Sequence, residues 1–161
     1  MADVKHIESV NQIYLPPSSF EGLTAEEQAV LAVVQTELQG WNEQDVEKVL
    51  SVMAEDAVYW DVTMEPAVGM AAIRQFGEDW VAFCPDFGVH VEKLVTQGNM
   101  VANMGYITGH PNPGVEWFPG KVVKEGAFME FPYFQLAMVK DGKVHYVRDH
   151  WNSAAIENIF A

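Results

Sequence analysis

Tyr59 and Asp61, two residues apart, are side chains whose types suit proton transfer. On a strand, side chains alternate between faces, so these two point one way while Val58 and Trp60 point the other. A phenol beside a carboxylate can hold or move a proton. The second chemically dense run is residues 145–151, His-Tyr-Val-Arg-Asp-His-Trp. Alternation puts His145, Val147, Asp149 and Trp151 on one face and Tyr146, Arg148 and His150 on the other. If Asp149 faces an apolar hollow, burial raises its pKa and lets it give or take a proton near neutral pH. Periodicity alone also fits a strand with one exposed acid at 61 and an ion pair at 149.

Aromatic residues are the third feature. Trp80 and Phe83 recur with Ile73 and Phe76 at helical spacing, a stripe that reads first as core. Phe131 and Tyr133 share one strand face, with Phe128 and Phe134 on the other, and Trp117 and Phe118 fall in a loop. Such residues usually build a core; here they also suit the walls of a pocket for an aromatic or terpenoid ligand. His110, Lys121 and Lys124 are further polar candidates whose facing the pattern leaves open.

Other chemistries lack their signatures. There is no phosphate-binding glycine loop and no Gly-x-Ser-x-Gly elbow. The five histidines lack zinc-site spacing. The single cysteine, Cys84, rules out an internal disulfide or a thiol redox pair. Acid–base chemistry without cofactor or metal is what remains.

The elements that must position these groups are legible. Thr24-Ala25-Glu26-Glu27 is a capping box opening a helix with Val30, Val33, Val34, Leu38 and Trp41 on one stripe. A second helix is expected over about 45–53 and a third over 71–83, the third stopped by Cys84-Pro85. Between them a strand over about 57–61 leads into a turn at Met64-Glu65-Pro66, closed by Gly69. From Gly88 onward the pattern is strands, with a hairpin signal at Asp141-Gly142. Three helices followed by an antiparallel sheet is an α+β pattern. Residues 1–23 read as an N-terminal arm and 24–161 as one domain.

The chain has 161 residues, of which 49% are hydrophobic, enough for a buried core. A net charge of −14 argues against nucleic acid and anionic membrane as partners. No apolar run is long enough to span a membrane, and no secretory leader is evident, so a cytoplasmic protein is expected.

Several segments together resemble the nuclear-transport-factor-two-like superfamily, in its SnoaL-like and limonene-epoxide-hydrolase-like branch. They are Asn42-x-x-Asp45, the run 54–61, Gly69 before a helix carrying Ile73, Cys84-Pro85-Asp86-Phe87, Asp141-Gly142-Lys143-Val144, and Arg148-Asp149-His150-Trp151. The resemblance spans about residues 26–151. It implies a cone-shaped barrel in which three N-terminal helices pack against a curved antiparallel sheet, with the pocket inside the cone. It also implies a homo-oligomer, dimer or trimer.

Epoxide hydrolases of this branch hold water with an aromatic hydroxyl and an amide, and use an Asp–Arg–Asp trio. By resemblance Tyr59 matches the hydroxyl, Asp61 stands where the amide would be, and Asp149 matches the last acid. The Arg-x-Asp pair falls at Gly105 and Ile107, so the trio cannot form and epoxide hydrolysis is not expected. Gly105 is instead expected to make room for a bulkier substrate. The family also contains polyketide cyclases, isomerases and lyases that eliminate water or formaldehyde from aromatic compounds. The resemblance therefore implies a cofactor-free lyase or isomerase acting on a hydrophobic, aromatic small molecule, such as a phenol or a lignin-derived diaryl. Tyr59, Asp61 and Asp149 are its catalytic candidates. Trp80, Phe83, Gly105, His110, Trp117, Phe131, Tyr133, His145 and Trp151 are its candidates for substrate binding. A hydrolase or cyclase of the same fold, or a non-catalytic binding or assembly protein, are the alternatives.

Overall fold

A computed structural model describes residues 22–161; all of the expected arm except Gly22 and Leu23 lies outside the described residues. Helix α1, Ala25–Asn42, starts as its sequence dictates: the Thr24 hydroxyl accepts from the Glu27 amide while the Glu27 carboxylate accepts from the Thr24 amide. A cap of this kind stabilises a helix by ~1 kcal/mol. Val30, Leu31, Val34, Leu38 and Trp41 form the buried stripe. Asp45 caps the short α2, Val46–Ser51, by accepting from the Lys48 amide.

Strand β1, Met53–Asp61, follows almost at once and therefore begins earlier than the alternation around Tyr59 indicates. The two-residue β2, Ala67–Val68, pairs back on it, and Gly69, with φ +81°, opens α3, Met70–Phe83. The remaining strands are β3, Gly88–Gln97; β4, Met100–Gly109; β5, Glu116–Phe118; β6, Lys121–Val122; β7, Met129–Lys140; and β8, Lys143–Trp151. Asp141 and Gly142, both at positive φ, make the tight β7–β8 turn. A 3-10 helix, Ser153–Ile159, ends the chain.

Six strands form one curved sheet in the order β2-β1-β8-β7-β4-β3, and β5–β6 is a separate small hairpin. The sheet remains open, with β2 and β3 as its edges, so the cone is not a closed barrel. Nor is it wholly antiparallel: β1 runs parallel to β8, because the chain reaches β8 only after β3, β4 and β7 have been laid down. In β7, burial alternates without a break, Met129, Phe131, Tyr133, Gln135, Ala137 and Val139 facing inward. Helix α1 packs across the inner face against β3 and β7, and α3 closes the side over β1. No helix among the described residues is long and apolar enough to cross a membrane.

Two irregularities decide where side chains point. The β7–β8 register shifts between Met138 and Val139, so Val144 pairs with Val139 and Tyr146 with Met138, leaving His145 in a bulge. The β3–β4 register shifts at Glu92, opposite Gly105. A Cβ on Gly105 would sit 1.8 Å from the His90 carbonyl oxygen, so only glycine fits beneath that bulge.

Candidate functional site

The regular parts of β1 and β8 bring the first group of candidates together. Asp61 pairs with Asp149 across the parallel ladder, and Tyr59 with Val147. Asp149 in turn lies opposite Gln135 on β7, and Gln135 opposite Asn103 on β4. A row of four polar side chains thus crosses four strands on the inner face. The cavity in front of it opens to solvent. Its polar wall holds Tyr59, Asp61, Gln135 and Asp149, with Tyr133 beside them. Trp41, Phe76, Trp80, Phe87 and Trp151 supply the aromatic wall, and Leu38, Val89 and Ile107 complete it. No Lys or Arg is among these lining residues.

The hydrogen bonds are specific. The Tyr59 hydroxyl donates to Asp149 Oδ2 at 2.8 Å. Asp149 Oδ1 is buried and has no protein partner. Asp61 is held on three sides: Thr63 donates to its Oδ1 from the amide at 2.9 Å and the hydroxyl at 2.7 Å, and Trp151 Nε1 donates to Oδ2 at 2.9 Å. Tyr133 donates to Asn103 Oδ1 at 2.6 Å, and Asn103 Nδ2 donates to Gln135 Oε1 at 2.7 Å. This chain fixes the Gln135 amide so that its Nε2 faces Tyr59 and a further carboxyl group.

That group is Glu37, a residue the sequence reading did not single out. It is fully buried in the middle of α1. Its Oε1 accepts from Trp41 Nε1 at 2.6 Å, with the Tyr59 hydroxyl and Gln135 Nε2 each 3.4 Å away. Its Oε2 is buried with no partner. A signal was present: Glu37 is three residues after Val34 and four before Trp41, an acid inside an apolar stripe.

Electrostatics follow from this crowding. Burial, reinforced by the Asp149 charge, pushes Glu37 up to about 8 against the donors on its oxygen. Burial, then the Asp61 charge, pushes Asp149 up to about 7, although the Tyr59 hydrogen bond favours its ionised form. Tyr59 is raised well above the ordinary phenol value by burial and by Asp149 and Glu37, so it remains a neutral donor. Tyr133 is raised in the same way. The arrangement can donate or accept one proton near neutral pH at Asp149, and brings Tyr59, Asp61 and Asp149 to one wall of the cavity, where they can meet a bound oxygen.

The structure places the other candidates as follows. Trp80, Tyr133 and Trp151 line the cavity. Phe131 does not; it is fully buried beneath Trp151, with ring centroids 4.6 Å apart. Phe83 and Trp117 stack on each other at 4.3 Å and line an outer cleft that shares Phe76 with the cavity. Gly105 makes no room for a ligand, because the His90 backbone fills the space beside it. His110 stands at the surface, its Nδ1 2.8 Å from Asp86 Oδ2. His145, turned out by the bulge, is 3.7 Å from the exposed Asp56. Lys121 pairs with Glu157 at 2.6 Å, and neither it nor Lys124 reaches the cavity. Arg148 is on the outer sheet face, its guanidinium 4.3 Å over the Trp60 ring. Among the described residues no group of three or more His, Cys, Asp or Glu side chains is placed to hold a metal ion.

A curved sheet with N-terminal helices on its inner face and a hollow between them is the nuclear-transport-factor-two-like architecture. Within it, this chain belongs to the SnoaL-like domain family, whose model matches residues 34–147. Solved structures agree in fold. A protein named as a SnoaL-like polyketide cyclase, from Jannaschia sp. CCS1, superposes with a TM-score of 0.75 at 16% identity, covering 86% of this chain and 95% of that one. TerC, co-crystallized with polyporic acid, gives 0.66 at 15% identity over 81% and 97% of the two chains. An epoxide hydrolase of the limonene-epoxide-hydrolase-like type from M. tuberculosis gives 0.67 at 16% identity over 86% and 89%. No curated protein sequence matches the chain.

Proposed function

We propose that this chain is a cofactor-independent acid–base lyase or isomerase acting on a hydrophobic, aromatic small molecule. One observation carries the reading. Asp149, raised to about 7, lies on the wall of an aromatic cavity with one oxygen fixed by Tyr59 and the other unpartnered. A carboxyl group in that state can serve as acid in one half of a turnover and as base in the other.

A phenol bearing a benzylic hydroxyl can lose water through two proton transfers. A carboxylate takes the phenolic proton, a carboxylic acid protonates the benzylic oxygen, the C–O bond breaks and water leaves, giving a quinone methide. If the neighbouring carbon carries a hydroxymethyl group, that quinone methide can accept the electron pair of the breaking C–C bond. Formaldehyde then leaves and the hydroxymethyl proton passes to a carboxylate. Asp149 is assigned as the proton-transferring acid, Asp61 as the acceptor for the second proton, and Tyr59 as the group that holds the substrate oxygen. The three-donor shell around Asp61 fixes its position for that task.

A panel of 4-hydroxybenzyl alcohols, with and without a hydroxymethyl neighbour, tests the reading through release of the quinone-methide-derived product or of formaldehyde. Turnover that survives undiminished in both Asp149→Asn and Tyr59→Phe rules the mechanism out. The absence of an Arg-x-Asp pair, its positions held by Gly105 and Ile107, favours elimination over epoxide hydrolysis. Oxygen-18 entering the product from labelled water, with no elimination product, reverses that preference.

A further inference from the structure

Glu37 is absent from the cavity wall, yet the wall is built against it. From α1, Trp41 donates to its Oε1 at 2.6 Å. From β1, Tyr59 faces it, with Asp61 beyond; from β7 come Tyr133 and Gln135, and from β8 comes Asp149. Helix α3 and strand β3 bring Phe76, Trp80 and Val89 to the same hollow, and no Lys or Arg of the described residues is paired with Glu37, Asp61 or Asp149. Two carboxyl groups buried this close without a countercharge cannot both ionise cheaply. Each also has one buried oxygen without a partner. Between them stands a single hydroxyl, whose hydrogen is given to Asp149 at 2.8 Å and whose oxygen faces Glu37 at 3.4 Å.

We infer that Glu37 is the proton store of this site: it and Asp149 hold one proton between them, passed through the Tyr59 hydroxyl, so that Asp149 is reset from behind the cavity rather than from its mouth. The transfer balances without any redox change. The Glu37 O–H bond breaks as an O–H bond forms on the Tyr59 oxygen. The original Tyr59 O–H bond breaks as one forms on Asp149 Oδ2. The Glu37–Tyr59 gap must close to the ~2.7 Å of an ordinary O–H···O bond during the step. Glu37 touches no substrate and is a positioning and supply residue. This inference rests on the reading of Asp149 as the acid–base group, and the test separates the two.

The experiment is an NMR titration of the full, ligand-free chain, labelled with carbon-13 and nitrogen-15, from pH 5 to 9. It follows the side-chain carboxyl carbons of Glu37 and Asp149 and the Trp41 indole N–H. In the wild type, the Trp41 indole, which is bonded to Glu37, is expected to show two steps whose midpoints coincide with those of the two carboxyls, as in a coupled pair. Asp149→Asn removes the negative charge that helps hold Glu37 up, so the Glu37 midpoint is expected to fall by about one pH unit. Tyr59→Phe removes the hydrogen bond to ionised Asp149, so the Asp149 midpoint is expected to rise. A Glu37 curve unchanged in Asp149→Asn overturns the inference and leaves the acid–base reading intact. An Asp149 midpoint in the ordinary carboxylate range in the wild type removes the acid–base reading itself. If Asp149→Asn does not fold, the wild-type curves decide: single, unrelated steps for Trp41 and Asp149 overturn the inference.

Discussion

Replacing Glu37 by glutamine should change how stability depends on pH. Glu37 has an ordinary value of 4.5 in an open chain and is pushed up to about 8 when folded. Below both values the folded and unfolded chains carry the same proton, and no penalty exists. Between them the unfolded chain has lost that proton while the folded chain keeps it, so stability falls as pH rises and levels off above about 8. One proton costs ~1.4 kcal/mol per pH unit over that window, so the Glu37 contribution is roughly 5 kcal/mol in all. Glutamine keeps the acceptor for Trp41 but cannot ionise. It places an amide where Oε2 has no partner, a fixed cost of about 1–3 kcal/mol. Wild type should therefore be the more stable protein near pH 5. The variant should gain on it steadily and overtake it between about pH 5 and 7, where the wild type's loss matches that fixed cost. Urea melts followed by far-ultraviolet circular dichroism at five pH values from 5 to 9 measure this, and contributions from groups remote from Glu37 cancel in the difference. A difference independent of pH would mean that Glu37 is charged in the native state, and the reasoning above would be refuted.

Asp149→Asn should lower turnover of a substrate by about 10²–10⁴-fold, with the fold retained by circular dichroism; a smaller loss in kcat/KM would take the proton-transfer role from Asp149. The wild-type pH–rate profile should bend near the Asp149 value of about 7, and a profile flat from pH 5 to 9 would exclude it as the titrating group. Gly105→Ala should destabilise by about 1–3 kcal/mol or more in urea melts, because its methyl meets the His90 carbonyl; a neutral effect would show that the bulge can move aside. The homo-oligomer expectation has a surface to test: Met100, Met104, Phe134 and Met138 are paired neighbours on the outer sheet face and 36–48% exposed. Phe134→Glu should shift sedimentation toward a monomer, and an unchanged assembly would place the contact elsewhere.

What could be read from the sequence, and what could not, divides along local and non-local physics. The capping box at Thr24, the α3 start after Gly69 and the β7–β8 turn at Asp141-Gly142 are each set by a few adjacent residues, and all three are where local rules put them. Tyr59, Asp61 and Asp149 share one wall because the register between residues 58–61 of β1 and 146–149 of β8 is unbroken. His145 lies outside that stretch, and a single extra residue turned it to the surface. Gly105 looked like vacant space because its neighbour, the His90 carbonyl, belongs to another strand. The parallel pairing of β1 with β8 joins residues some ninety positions apart and leaves no trace in alternation. Glu37 was overlooked because an acid on an apolar stripe breaks the pattern being counted, and that break marked the deepest part of the site. Gln135 and Asn103 became visible only once the ladder set them beside Asp149.

A crystal structure of the chain soaked with 4-hydroxybenzyl alcohol bears most directly on the central claim. The account predicts the ring between Trp80 and Trp151, with one of its oxygens within hydrogen-bond distance of the Asp149 carboxyl group or the Tyr59 hydroxyl. A ring seated in the outer cleft against Trp117, or in the cavity with none of its oxygens near Asp149 or Tyr59, would contradict it.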